Sequence, residues 1–174
     1  GVSTVGGAFN KQVIRTMAQI NERPLIFPYS NPTSRAECTA AQAYEWSDGR
    51  VLFGSGTPMP PVQFQGQRIK PSQGNNVYIF PAVGMAIYAT GARRVSQEVF
   101  LTAAQALSEQ VPEEYLKRGQ LYPSRSRIRE VSLHVAAKVA QTLDEMGHAR
   151  HETEDWSGRI DELAYVPSYE TIDG

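Results

Sequence analysis

Few side chains of this sequence are of the kinds that move protons, attack carbonyls or hold metals. It carries three histidines and one cysteine. His148 and His151 lie near Glu152, Glu154 and Asp155, all metal-ligating types, but they follow Gly147 at a helix stop and lack a metal-ligand spacing. The expectation there is a solvated tail and no metal site. His134 falls beside the apolar face of a long helical pattern, as a half-buried or interface side chain. Cys38 stands at a helix start, where a thiolate is favoured. Without a partner base it reads as a small buried residue. No Ser/His/Asp order with a nucleophile elbow occurs. Arg125, Arg127 and Arg129 alternate at the start of a helix, where cations oppose the dipole. A bound anion would offset that cost, but the expectation is an ion pair, to Glu130 or to another subunit. The asparagines are more informative. Asn31 lies between Ser30 and Pro32, and Asn75 and Asn76 follow Gln73 and Gly74. An amide offers a donor and an acceptor, so at the mouth of an apolar site it can fix a substrate carboxylate or hydroxyl, or a cofactor carboxamide. Alternatively, these are turn residues that bond to their own backbone. The residues alone leave both readings open.

The elements that must position them follow from patterning. Gly1-Val2-Ser3 reads as the end of a buried strand, Gly6-Gly7 as a turn, and Asn10 as the cap of a helix through Met17 to Ile20. Pro24 to Tyr29 is an apolar run bounded by prolines, which reads as a buried strand leaving the sheet at both ends. Ser30 to Thr33 is turn chemistry. Thr39 and Gln42 have capping-box spacing and open a helix through Trp46. Asp48-Gly49 ends that helix, and Val51-Leu52-Phe53 is a further strand. Strand, helix, strand, helix, strand is the order of a parallel sheet with crossover helices. Ligands of such sheets bind at the carboxyl ends of the strands. Ser30-Asn31 and Gly54-Ser55-Gly56 both fall at such ends.

From Thr57 to Asn76 the chain is rich in proline and glycine and reads as loop. Val77 to Ala92 carries no charge. It is shorter than the roughly 20 residues a spanning helix needs and is interrupted by Pro81 and Gly84, so it is expected as a helix buried on all sides. Ser96 can cap a helix with Val99, Phe100, Ala103, Ala104 and Leu107 on one face. Pro112-Glu113-Glu114 suits a first helical turn. The longest helix is predicted from about Arg127 to Met146, with Ile128, Val131, Val135, Val139, Leu143 and Met146 at helical spacing and Gly147 as its stop. From His148 to Tyr165 the chain is polar, and Pro167 and Tyr169 read as extended. The balance of charge, 17 Lys+Arg against 18 Asp+Glu in 174 residues, argues against a nucleic-acid binder. The single cysteine excludes an internal disulfide framework and fits a cytoplasmic setting. No secretory leader is expected, because no charged and apolar segment opens the sequence.

The segments NERPLIFPYSNPTSRAECTAAQAYEW, GRVLFGSGTPMPPV and PSQGNNVYIFP resemble the C-terminal half of malic enzymes. QALSEQVPEEYLKRGQLYP and IREVSLHVAAKVA continue the resemblance, which runs from Gly1 to about Met146. It implies an α/β fold, with a partial Rossmann-like parallel sheet and crossover helices followed by a mainly helical C-terminal half. Residues 1–56 would be the second half of a dinucleotide-binding domain, 57–147 a loop and helical part of the same domain, and 148–174 a tail.

The implied reaction is oxidative decarboxylation of L-malate to pyruvate and carbon dioxide, with NAD or NADP reduced and with magnesium or manganese. By resemblance Asn31 and Asn75 contact malate, and Val2, Ser30 and Asn31 line the nicotinamide cofactor. The family's tyrosine acid, lysine base, substrate arginine, metal carboxylates and Gly-rich fingerprint have no counterpart here. Hence no catalytic residue and no metal ligand is assigned to this segment. The expectation is one piece of a homo-oligomeric, membrane-free enzyme, inactive as an isolated chain and bound to its missing half or self-associated. A malolactic-type enzyme, and a non-catalytic interaction module built on the same fold, are the alternatives. Tyr29 stands where leucine is usual in the family, Ser72 and Ala82 replace common glycines, and Met59-Pro60 alters a loop.

Overall fold

The computed structural model describes residues 1–166; the expected extended stretch at Pro167 and Tyr169 lies outside them. In chain order the elements are α1 (Lys11–Ile20), β1 (Leu25–Ile26), α2 (Ala40–Trp46), β2 (Leu52–Ser55), β3 (Val62–Phe64), β4 (Gln67–Ile69), β5 (Ser72–Gln73), α3 (Phe80–Thr90), α4 (Gln97–Glu109), α5 (Glu113–Lys117), α6 (Ile128–Glu145) and α7 (Trp156–Leu163), with short 3-10 turns between some of them. The chain forms two compact units. The first comprises Gly1–Asn76 and Ser108–Ser124, and the second Val77–Leu107 and the residues from Arg125 onward.

The first unit is α/β. Asn10 caps α1 by accepting from the Val13 amide at 3.0 Å. The other end of α1 is closed by Arg50, whose guanidinium donates to the carbonyls of Ala18, Asn21 and Glu22. The Ala18 carbonyl is among the acceptors a helix terminus leaves without partners, and Asn21 and Glu22 are the residues that lead the chain away. Thr39 and Gln42 form the expected capping box on α2, and the chain then reverses through Asp48 and Gly49, with φ of 55° and 73°. β2 is central in a parallel sheet of order β1-β2-β5. It pairs Leu52 with Leu25 and Phe53 with Ile26 on one side, and Gly54 with Ser72 and Ser55 with Gln73 on the other. Phe53 and Ile14 are fully buried, with Ile26, Tyr44 and Val51 packed around them.

Three expectations change in this unit. β1 is only Leu25–Ile26, because Pro24 and Pro28 have no N–H to give a ladder. Gly1-Val2-Ser3 is exposed and forms no strand. Only Gly1 is bonded in ladder fashion, donating to the Phe27 carbonyl at 2.7 Å and accepting from the Tyr29 amide at 2.8 Å. The stretch read as loop from Thr57 to Asn76 holds an antiparallel hairpin, β3 with β4, and the third sheet strand, β5. Gln65 and Gly66 turn the hairpin with φ of 47° and 78°, the left-handed pair that a two-residue turn requires.

The second unit is helical. α3, α6 and α7 pack on one another, and α6 buries Val131, Val135, Ala136, Val139, Ala140 and Leu143 on one stripe. Gly147, at φ 68°, terminates it as expected. α3 is not buried on all sides. Its small residues Ala82, Val83, Ala86 and Ala89 face the core, whereas Phe80 and Tyr88 are 58% and 70% exposed. Small side chains allow close helix packing, and this leaves the bulky ones outside. The buried face of α4 is Val99, Ala103, Ala106 and Leu107, while Phe100 and Ala104 are exposed. The polar tail is not simply solvated. It forms α7, which Asp155 caps and which buries Trp156 and Ile160. The Trp156 indole N–H donates to Asp144 at 3.0 Å. Two apolar residues four apart are a weak helical signal in a charged stretch. No helix among the described residues is long and apolar enough to cross a membrane.

Candidate functional site

The parallel sheet directs its carboxyl ends at one group of turns. Ser30 and Asn31 follow β1, Gly56 and Thr57 follow β2, and Gly74 and Asn75 follow β5. Since β1 and β5 flank β2, the two asparagine turns come from either side of the central strand, at the end where such sheets bind ligands. All of these residues lie in the first unit.

The first turn is held from below. Glu37 is fully buried. Its Oε1 accepts from the Ser3 amide at 2.8 Å, the Ser3 hydroxyl at 2.8 Å and the Ser30 hydroxyl at 2.5 Å, and its Oε2 accepts from the Ser30 amide at 3.4 Å. Ser30 Oγ in turn accepts from the Thr4 amide at 2.8 Å. Burial works against the charge of Glu37, but the donors of Ser30 and Ser3 outweigh it and hold the pKa at about 2, below the ordinary 4.5. Asn31 is exposed, and its side-chain amide makes no hydrogen bond among the described residues; the Asn31-Pro32 peptide is cis. Thr33 joins this turn to the β2 end through a 2.9 Å bond with Thr57.

The second turn is held from the side. The Gly74 amide donates to the Ser55 carbonyl at 3.0 Å. A Cβ on Gly74 would sit 2.6 Å from the Tyr29 hydroxyl and 2.9 Å from that of Tyr122. Those two hydroxyls are 2.5 Å apart; burial first, and the neighbouring phenol second, push the Tyr29 pKa up. The Tyr29 ring also stacks on Phe27, with centroids 5.4 Å apart. At Gly56, between the turns, a Cβ would lie 2.5 Å from the Tyr29 carbonyl oxygen.

The sequence-derived site residues therefore sit in contrasting settings. Asn31 and Asn75 are exposed, Val2 is 82% exposed, and Ser30 is buried with its hydroxyl committed. Glu37 and the Tyr29–Tyr122 pair were not foreseen. An acid set between the small, apolar Ala36 and Cys38 was a visible signal for Glu37, whereas nothing in the sequence joins Tyr29 to Tyr122. Arg127 pairs with Glu130 at 2.5 Å, as expected. Cys38 is buried, which pushes its thiol up to about 12. His148 is half-buried and its Nδ1 has no hydrogen-bond partner. His151 Nδ1 lies 2.9 Å from the Ala89 carbonyl oxygen. Among the described residues no group of three or more His, Cys, Asp or Glu side chains could hold a metal ion.

The low pKa of Glu37 has a consequence for stability. The folded value lies below the unfolded one, so the contribution of the charged form is complete above about pH 4.5 and is lost as pH falls toward 2. Urea denaturation across that window is expected to lose on the order of 2 kcal/mol through this group. Glu37→Gln should flatten that part of the curve; an unchanged slope would show that the charge contributes nothing.

Residues 1–144 match the family described as malic enzyme, NAD binding domain. The chain belongs to this family. An NADP-dependent malic enzyme of Vitis vinifera is 46% identical over 171 residues, covering 97% of this chain and 29% of the relative. That of Sus scrofa is 47% identical over 142 residues, covering 81% and 26%. The crystal structure of Entamoeba histolytica malic enzyme superposes with a TM-score of 0.70 at 21% identity, covering 90% of this chain and 28% of that one. The α/β fold with a Rossmann-like parallel sheet is thus the fold of malic enzymes, as expected. The chain spans under a third of the length of the relatives it matches. Within this malic enzyme segment, the exposed apolar Val2 and the open Asn31 amide suit a flat ring bearing a carboxamide, the nicotinamide end of a dinucleotide. No G-x-G-x-x-G for the pyrophosphate occurs in the sequence, so the fit extends to that end alone.

Proposed function

We infer that this chain works as the C-terminal part of a malic enzyme, oxidising and decarboxylating L-malate to pyruvate and carbon dioxide with reduction of NAD or NADP. The observation that carries this reading is the placement of Asn31 and Asn75 at the carboxyl ends of β1 and β5, on either side of β2 in one unit. Asn31 and Asn75 bind malate through their amides, each able to donate to a carboxylate and accept from the hydroxyl. Val2, Ser30 and Asn31 line the cofactor. At Gly56 a Cβ would meet the Tyr29 backbone, so the absence of a side chain there lets the turn that carries Asn31 lie against the end of β2.

The cofactor, when bound, takes up the hydride. This segment supplies orientation and water exclusion; the proton-transfer groups and the ligands for magnesium or manganese come from the rest of the enzyme. A cytoplasmic, homo-oligomeric enzyme fits the free, buried Cys38 and the apolar exposure of Phe80 and Tyr88. Because the relatives are named NADP-dependent malic enzymes, NADP is the first cofactor to test. The full-length polypeptide carrying this segment should form NADPH in proportion to malate, with pyruvate as product, and the 174-residue chain alone should not. Lactate without net NADPH would assign a malolactic-type enzyme. Absence of either product from the full-length protein would leave the segment as a non-catalytic interaction module.

A further inference from the structure

Glu37 does more than brace a turn. It is fully buried, and all four of its hydrogen bonds come from neutral donors, those of Ser3 and Ser30. No cation pairs with it among the described residues. The ion pairs Lys117–Glu113, Arg127–Glu130 and Arg159–Glu162 lie elsewhere, on exposed helix faces. A carboxylate held by neutral donors keeps its charge, and that charge acts on whatever lies close to it.

The two segments it touches are those that carry Val2 and Asn31. Ser3 adjoins Val2 and Ser30 adjoins Asn31, and the donors from the two segments converge on one oxygen. The contact is close: a Cβ at Gly1 would sit 2.6 Å from the Glu37 carboxyl carbon. Apart from Glu37, the segments are joined by the Thr4–Ser30 bond and by the two bonds of Gly1.

We propose that Glu37 is a positioning residue of the cofactor site and that its charge biases the site toward the oxidised nicotinamide, whose ring is cationic, over the neutral reduced form. This rests on the reading that Val2, Ser30 and Asn31 line the cofactor. The carboxylate holds both lining segments in one register, and its field stabilises the ring that carries positive charge. The oxidised cofactor is the one that a malate-oxidising enzyme must capture. Preferential release of the reduced form then follows from the same charge.

The test is binding without turnover. Fluorescence or calorimetric titrations would give Kd for NADP⁺ and for NADPH, with the full-length polypeptide and no malate present. Glu37→Gln keeps the shape and removes the charge. Its Kd for NADP⁺ is expected to rise about tenfold and that for NADPH about twofold or less. Ser3→Ala removes one donor and keeps the charge, so it should weaken both cofactors alike and leave their ratio unchanged. If the glutamine variant does not fold, Glu37→Asp serves, since it keeps the charge with a shorter reach. It should weaken both cofactors and preserve the ratio.

A purely structural role predicts equal weakening in Glu37→Gln, and that result would overturn the charge bias. An aspartate variant that loses the preference for NADP⁺ would overturn it too. Wild-type protein that binds neither nucleotide would count against the functional reading itself. Wild-type binding of both, with an unchanged ratio in Glu37→Gln, would count against this inference alone.

Discussion

Replacing Asn31 by alanine in the full-length polypeptide is expected to lower kcat/KM for L-malate by about a hundredfold, the worth of one hydrogen bond to a charged group lost without replacement. The thermal midpoint should stay close to that of the wild type. The side chain is exposed and makes no hydrogen bond among the described residues, so its removal leaves no buried group unpaired. This separates a binding residue from a turn residue: a turn residue bonded to its own backbone would cost stability and spare activity. Asn31→Asp is the sharper variant, because it preserves shape while setting a negative charge against a dicarboxylate. It should lose more than the alanine variant, and mostly in KM. Activity within twofold of wild type for Asn31→Ala would remove this residue from the malate contacts.

Gly56→Ala is the largest stability change we expect, about 3 kcal/mol, with loss of cofactor binding in whatever remains folded. The added methyl group would meet the Tyr29 carbonyl oxygen at 2.5 Å, its carbon at 3.0 Å and its Cα at 3.1 Å. These are backbone atoms, so no rotamer change relieves the clash, and the Gly56 amide is itself bonded to the Pro28 carbonyl at 3.2 Å. Relief requires the Tyr29-Ser30-Asn31 backbone to move. Gly66→Ala is the control. A Cβ there meets nothing within 4 Å, so the cost is limited to φ strain in the hairpin turn. Chemical denaturation of both variants checks the contrast. Equal midpoints would show that the close approach at Gly56 is absorbed without consequence.

The features legible in the sequence and those hidden in it differ in physical range. Caps were legible because their chemistry is local: Asn10, Thr39 with Gln42, and Gly147 each act within four residues. The long helix α6 was legible because eighteen residues repeat one apolar period. The sheet was legible in class and in its carboxyl-end turns, but not in extent. β5 is two residues within a proline- and glycine-rich stretch, and its partner is chosen by tertiary placement. The hairpin carried a signal, the alternation of Val62, Phe64 and Ile69 around Gln65-Gly66, which composition alone obscured. In the site, Asn31 and Asn75 stood out by residue type and by their turns. The Tyr29–Tyr122 bond joins residues 93 apart, and no local pattern encodes such a pairing. α7 was missed because charges dilute its two anchors, Trp156 and Ile160.

The order in which the chain visits its two units carries a genealogical consequence. The first unit is written in two pieces, Gly1–Asn76 and Ser108–Ser124, with a stretch of the second unit between them. A single recombination crossover within this segment therefore cannot exchange both units whole between two genes. It splits at least one of them, and mates residues that never evolved together across a packed core. Shuffled descendants with one breakpoint would be selected against unless their parents were close, whereas three crossovers, near Asn76, Leu107 and Ser124, would pass both bodies intact. The two units should accordingly share one ancestry, and chimeras built between distant relatives should survive only when cut at all three junctions.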